Sequence, residues 1–201
     1  MSGGRKQPAR AWQRMLSGRR LNLLDPSPLD VEISDIAHGL ARVARWNGQT
    51  RGAHAFSVAQ HSTLVLDIAI ALRPDLDRPM RLATLLHDAP EYVIGDMISP
   101  FKAVMGGTYK DVEKRLMDAI HLCFALPADL PKGVTRLIKE ADRIAAYLEA
   151  TELAGFSPEE AGKIFGTPAL HPLNAFPVKP LPTEDAEADF LARFNALQEQ
   201  D

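Results

Sequence analysis

Apolar residues along this chain recur at three- and four-residue spacing, and no stretch sustains a period-two alternation of apolar and polar residues. That regularity excludes a sheet-based core, because a half-buried strand needs period two whereas an amphipathic helix needs 3.6. The predicted fold class is therefore all-α. At 201 residues, 46% of them hydrophobic, the chain can bury one substantial core. A single domain over residues 21–201 is expected behind a short N-terminal tail.

Ser34 is placed to cap a helix running to about Arg45, with Ile36, Leu40 and Val43 on one face. After the polar loop from Asn47 to Gly52, helical spacing resumes from Ser57 to Leu72 through Val58, Val65, Ile68 and Leu72, and His61 shares that stripe. Arg78 to His87 is apolar nearly all round, the mark of a central, buried helix. Pro90 disfavours helical geometry at Ala89, so the chain is expected to break just after His87 and Asp88. Two further amphipathic helices follow, Tyr109 to Ala125 and Pro131 to Ala154, the second facing in through Val134, Ile138, Ala145 and Leu148 and capped by Gly155. Ser157 to Pro182 contains six prolines and reads as an irregular excursion with at most one short helix. A last helix, Glu184 to Gln200, packs through Ala186, Phe190, Phe194 and Leu197.

The net charge of −3 is unevenly placed: the first twenty residues hold six bases and no acid, and the remainder holds 17 bases against 26 acids. Residues 1–20 read as a basic, solvated tail, and the acidic body argues against nucleic acid as a main partner. A lone cysteine, Cys123, excludes a disulfide framework and any multi-cysteine zinc site, and it suits a reducing compartment such as the cytoplasm. The longest apolar run, Leu64 to Leu72, is interrupted by Asp67 and falls short of the roughly 18 residues of a membrane span. No membrane association is expected.

Polar side chains on an apolar stripe need an explanation, since burying one without partners costs on the order of 1–3 kcal/mol. Three places qualify: His61, the adjacent His87 and Asp88, and Asp142 between Ile138 and Ala145. Each alone reads as a satisfied core histidine or a capping aspartate. Together they offer two imidazoles and two carboxylates from three inner helical faces, a set that suits a divalent metal. Without a thiolate, Mn²⁺, Co²⁺, Fe²⁺, Zn²⁺ and Mg²⁺ are all admissible.

The pattern H…HD…D resembles the signature of the HD-domain metal-dependent phosphohydrolases. It reads here as His61 in VAQHS, His87 and Asp88 in LLHDAPEYVIGDM, and Asp142 in EADRIAAYLEA, with a separation of 26 positions from His61 to His87 and 54 from Asp88 to Asp142. HDAPE followed by GD, together with ADxxxAYLEA, resembles the 5′-deoxynucleotidase branch, and the likeness covers about residues 36–153. It implies an HD-domain helical bundle, with the proline-rich C-terminal excursion outside the match, and one divalent metal ion held by His61, His87, Asp88 and Asp142. It also implies that Glu91 acts on the attacking water or the leaving group, with Asp96 of the GD pair assisting. Arg45 and Trp46 match an Arg-Trp pair that contacts substrate in that branch, where the tryptophan selects deoxyribose over ribose. Lys102 follows Ser99, Pro100 and Phe101 in a segment resembling one that lines the site. Binuclear relatives carry extra histidines between HD and the last Asp; here only His121 lies there, which favours a mononuclear site. Related nucleotidases are commonly homodimers, so a homodimer is an expectation as well.

Such a set suits metal-assisted hydrolysis of a small phosphorylated substrate. Arg45, Lys102, Arg51 and His54 are the candidate cations for phosphate, although Trp46 reads equally as a core anchor and Lys102 as a solvated lysine. His38 and His171 have no partners in the pattern, and Cys123 reads as a small buried hydrophobe. The expected activity is a metal-dependent 5′-nucleotidase that releases phosphate from (deoxy)nucleoside monophosphates. Hydrolysis of a nucleoside triphosphate, a guanosine alarmone or a sugar phosphate, or nonhydrolytic nucleotide sensing, are the alternatives.

Overall fold

The structure, a computed structural model, describes residues 10–97, 107–170 and 172–199. Lys102 and His171 therefore lie outside the described residues. Eight α-helices are present among them: α1 (Ile33–Arg42), α2 (Val58–Leu72), α3 (Arg78–Leu85), α4 (Glu91–Ile94), α5 (Gly107–Cys123), α6 (Lys132–Glu152), α7 (Pro158–Phe165) and α8 (Thr183–Gln198). The all-α fold class holds.

Side-chain capping sets three of the helix starts. Ser57 accepts the Gln60 N–H at the head of α2, Asp77 accepts the Met80 N–H at the head of α3, and Ser157 and Glu160 form a reciprocal capping box on α7. Ser34 does not cap α1 as expected. That helix starts two residues earlier, after an extended Glu32 with no side-chain cap, so Ser34 lies inside its first turn. The hydrophobic helix before His87 is also shorter than expected. It ends at Leu85, where the Leu86 N–H reaches both the Leu82 and Thr84 carbonyls and tightens the last turn. His87 and Asp88 consequently occupy the turn between α3 and α4 rather than a helix end. At the far end of α6, Gly155 takes φ 82° and the Phe156 N–H bonds the Ala150 carbonyl, which closes the helix with a left-handed turn.

Two strands, β1 (Trp12–Arg14) and β2 (Arg20–Asn22), pair antiparallel with Trp12 opposite Asn22. Strand β1 lies in the basic segment, residues 1–20, expected to be a solvated tail, and β2 begins at the last residue of that segment. From Arg10 onward the chain is held without acids of its own: the Arg10 and Arg20 guanidiniums stand 4.7 and 4.1 Å from the Trp12 ring, Leu21 is fully buried, and Asp35 of α1 accepts the Ser17 N–H at 3.0 Å. Strands three residues long leave no measurable alternation in sequence.

Two apolar clusters make the core. One joins Ile36 and Leu40 of α1, Leu85 of α3, Ile120 of α5, and Phe190 and Phe194 of α8. The other sets Val65 and Ile68 of α2 against Ile138, Ala141, Ala145 and Leu148 of α6. The α2–α6 pair thus carries two of the expected ligands, His61 and Asp142, on facing helices. Helix α1 meets α4 closely at Gly39, where a Cβ would stand 2.7 Å from Tyr92 Cβ and 2.8 Å from the Tyr92 carbonyl oxygen. Among its described residues, the proline-rich excursion contains α7 and a single 3-10 turn at Leu173–Ala175. Buried Gln60 fastens its far end by donating to the Lys179 carbonyl at 2.8 Å and accepting the Leu181 N–H at 3.2 Å.

Candidate active site

His61 comes from the first turns of α2 and is completely buried. Its Nε2 lies 3.2 Å from Asp142 Oδ1 of α6 and 3.5 Å from Asp88 Oδ2. The same Asp88 oxygen is 3.3 Å from His87 Nε2, and the two imidazole centroids are 5.4 Å apart. His87 Nδ1 donates to the Thr84 carbonyl at 2.9 Å, which leaves Nε2 as the ligating nitrogen. Neither Nε2 completes a well-directed hydrogen bond, although both are shut away from solvent. One atom each from His61, His87 and Asp88 fall within 4.8 Å of one another, spacing that could hold a metal ion. Two orphaned buried nitrogens beside hard carboxylate oxygens are what a divalent cation satisfies, so the donor set fits.

A third carboxylate braces this cluster from behind. Glu149, fully buried on α6, approaches His61 Nδ1 to 2.5 Å through Oε1. Its Oε2 accepts from Trp46 Nε1 at 2.8 Å and from Arg45 Nε at 3.3 Å. Arg45 Nη1 donates to Asp96 Oδ2 at 3.0 Å, so two carboxylates grip this guanidinium. Trp46 sits in the left-handed region with φ 57° and ψ 27°, and its ring contacts Phe156 at 5.7 Å and Phe165 of α7 at 5.9 Å.

The charges follow from these contacts. Burial and the Arg45 charge press His61 down, but Glu149 and Asp142 outweigh them and leave its pKa pushed up to about 10. Burial works to raise Asp88, yet His87, His61 and Arg45 hold it well below the ordinary carboxylate range. Asp142 and Glu149 are likewise lowered against burial, the first by His61 and the second by Arg45, His61 and Trp46. Ionised carboxylates surround a single guanidinium here among the described residues, an excess of negative charge that a divalent cation relieves.

A cavity of about 250 Å³ opens on this cluster, walled by His87, Asp88, Glu91, Lys110, Lys114 and Met117. Glu91, first residue of α4 and 2% exposed, thus shares the cavity with the HD pair. The structure brings together His61, His87, Asp88, Asp142, Glu91, Arg45, Trp46 and Asp96. Arg51 and His54 are exposed and line neither cavity beside His87. His38 pairs with Glu187 of α8, at 3.4 Å, and His121 packs with its Nδ1 on the Pro127 carbonyl. Cys123 is half-buried, 3.6 Å from the Val31 carbonyl. Sequence reasoning missed Glu149 and Lys110. Glu149 had a signal, for it lies seven residues past Asp142, two turns along the same inward face.

An all-helical bundle presenting two histidines and two aspartates from α2, α6 and the turn after α3 belongs to the HD-type phosphohydrolase class. Within that class, the chain belongs to the YfbR-like 5′-deoxynucleotidase family, whose profile matches residues 34–160. It is also 54% identical over 188 residues to an uncharacterised protein of Rhodobacter capsulatus, an alignment spanning 94% of this chain and 96% of that protein. Among the described residues, no helix is long and apolar enough to cross a membrane.

Proposed function

We propose that the protein is a divalent-cation-dependent 5′-nucleotidase that hydrolyses deoxynucleoside 5′-monophosphates to deoxynucleoside and phosphate. The observation that carries this reading is the meeting of His61, His87 and Asp88 at a cavity whose wall also holds Glu91. His61, His87, Asp88 and Asp142 would hold the cation. When bound, it supplies a Lewis acid that acidifies water and neutralises phosphoryl charge.

The remaining steps belong to the chain's own side chains. Glu91 moves the proton, taking it from the attacking water or giving it to the departing 5′-oxygen. Arg45 faces the phosphate charge, its direction set by Asp96 and Glu149. In this role Asp96 orients Arg45 rather than acting as a base, which refines the expectation for it. Trp46 stands beside Arg45 as the side chain that meets the sugar, and Lys110 on the cavity wall adds a second cation for the nucleotide. The single, half-buried cysteine supports a cytoplasmic setting.

The test is His87→Ala, followed by calorimetric titration with Mn²⁺ and by phosphate release from a deoxynucleoside monophosphate. Loss of a ligand is expected to exceed the roughly 10–100-fold effect of an outer-shell change, in metal affinity and turnover together. Undiminished phosphate release by this variant contradicts the proposal.

A further inference from the structure

We infer that Glu149 is the positioning residue of this site, one buried carboxylate that fixes the His61 imidazole, the Arg45 guanidinium and the Trp46 indole in a single arrangement. The inference rests on the phosphohydrolase reading of the cluster above. Glu149 does not line either cavity beside His87, so its action must pass through the three side chains it touches.

Each contact leaves a definite atom available. Oε1 accepts the hydrogen bond that His61 Nδ1–H donates, at 2.5 Å, which commits Nε2 to the side facing Asp88 and Asp142. Oε2 holds Arg45 by Nε while Asp96 holds it by Nη1, so the planar fork has one orientation fixed at two points. The same Oε2 receives Trp46 Nε1 at 2.8 Å. Trp46 needs such a restraint, because a bulky residue with positive φ persists only where its surroundings over-determine it. Phe156 and Phe165 supply the apolar part of that restraint and Glu149 the polar part. Helix α6 is the reason one residue can do all this. It places Asp142 and Glu149 two turns apart on one face, so a candidate ligand and the carboxylate that orients another candidate ligand move as one rigid body.

A carboxylate is required and a carboxamide cannot replace it. A glutamine of the same shape offers one acceptor and one donor group. If its oxygen keeps Trp46 and Arg45, its NH₂ faces His61 Nδ1 and drives the imidazole proton to Nε2, the atom a cation needs. If it turns over, Trp46 and Arg45 lose their acceptor.

The experiment compares the full-length wild type with Glu149→Gln and Glu149→Asp by calorimetric titration with Mn²⁺ alone, thermal unfolding, and steady-state phosphate release at saturating Mn²⁺. Glu149→Gln is expected to unfold cooperatively, to bind Mn²⁺ about 10–100-fold more weakly, and to keep a lowered kcat when the metal is saturating. Glu149→Asp retains charge but not reach, and is expected to fall between the two. Wild-type Mn²⁺ affinity in a folded Glu149→Gln or Glu149→Asp overturns the inference. Failure of both variants to fold assigns Glu149 to stability and overturns it as well. Mn²⁺ binding by the wild type without phosphate release from any nucleotide refutes the phosphohydrolase reading instead, and the Mn²⁺ affinities of the variants then decide by themselves whether Glu149 positions His61.

Discussion

His121 is 4% exposed, and burial, opposed by the Pro127 carbonyl and by Asp118, sets its pKa below the ordinary value of 6.5. Lys114, also on α5, lowers it further. As pH falls, the unfolded chain therefore takes up this proton before the folded protein does, and stability is lost as pH drops from the unfolded value through the folded one. Urea unfolding between about pH 7 and about pH 5 is expected to show a falling midpoint, and His121→Gln to show a shallower fall. An identical slope in both proteins contradicts this assignment. His61 and Asp142 were legible in sequence because a polar residue on an apolar helical stripe is conspicuous from its own neighbours, and His87 and Asp88 because they form an adjacent His-Asp pair at the end of the most apolar run. Glu149 was not singled out, since its meaning lies in partners 88, 103 and 104 residues away, and a glutamate near a helix end reads as solvated. Asp96 was legible as a site residue, whereas its ion pair with Arg45, 51 residues distant, was not.

Helix α4 is a single turn, and its packing against α1 fixes where Glu91 stands. That contact depends on a missing side chain: a methyl at position 39 would meet both the side chain and the backbone of Tyr92. Gly39→Ala is therefore expected to destabilise the fold by about 1–3 kcal/mol, to lower kcat by displacing Glu91, and to weaken Mn²⁺ binding as well, because the Glu91 N–H bonds the Asp88 carbonyl in the turn that carries His87 and Asp88. Thermal unfolding, metal titration and turnover on the one variant check this. Unchanged stability and turnover contradict it. The long helices α2, α5, α6 and α8 were readable from 3.6-residue spacing over many turns. The end of α3 was not, because Leu86 is as apolar as the residues before it and only the tightened last turn marks the stop. The hairpin escaped for a different reason, since Trp12 orders its basic neighbours through ring contacts that charge counting does not register.

On the scale of the whole molecule, the net charge of −3 averages a basic N-terminal hairpin region over an acidic body, and the site accounts for several of those acids. Asp88 and Asp96 from one part of the chain and Asp142 and Glu149 from another gather around Arg45 and His61, a concentration of negative charge that a divalent cation would relieve. The proline-rich excursion, outside the recognisable motif, reaches back to this site through Phe165 on Trp46 and through Gln60 one residue from His61. Its composition announced irregular chain but not where that chain would return. The most direct measurement is phosphate release by the wild-type protein from ribo- and deoxyribonucleoside 5′-mono- and triphosphates, each with Mn²⁺, Co²⁺, Mg²⁺ or a chelator. Cation-dependent release from the deoxynucleoside monophosphates, weaker from their ribose counterparts and abolished by the chelator, is the expected result. Nucleotide binding with no release under any cation, or release that the chelator leaves untouched, would contradict it.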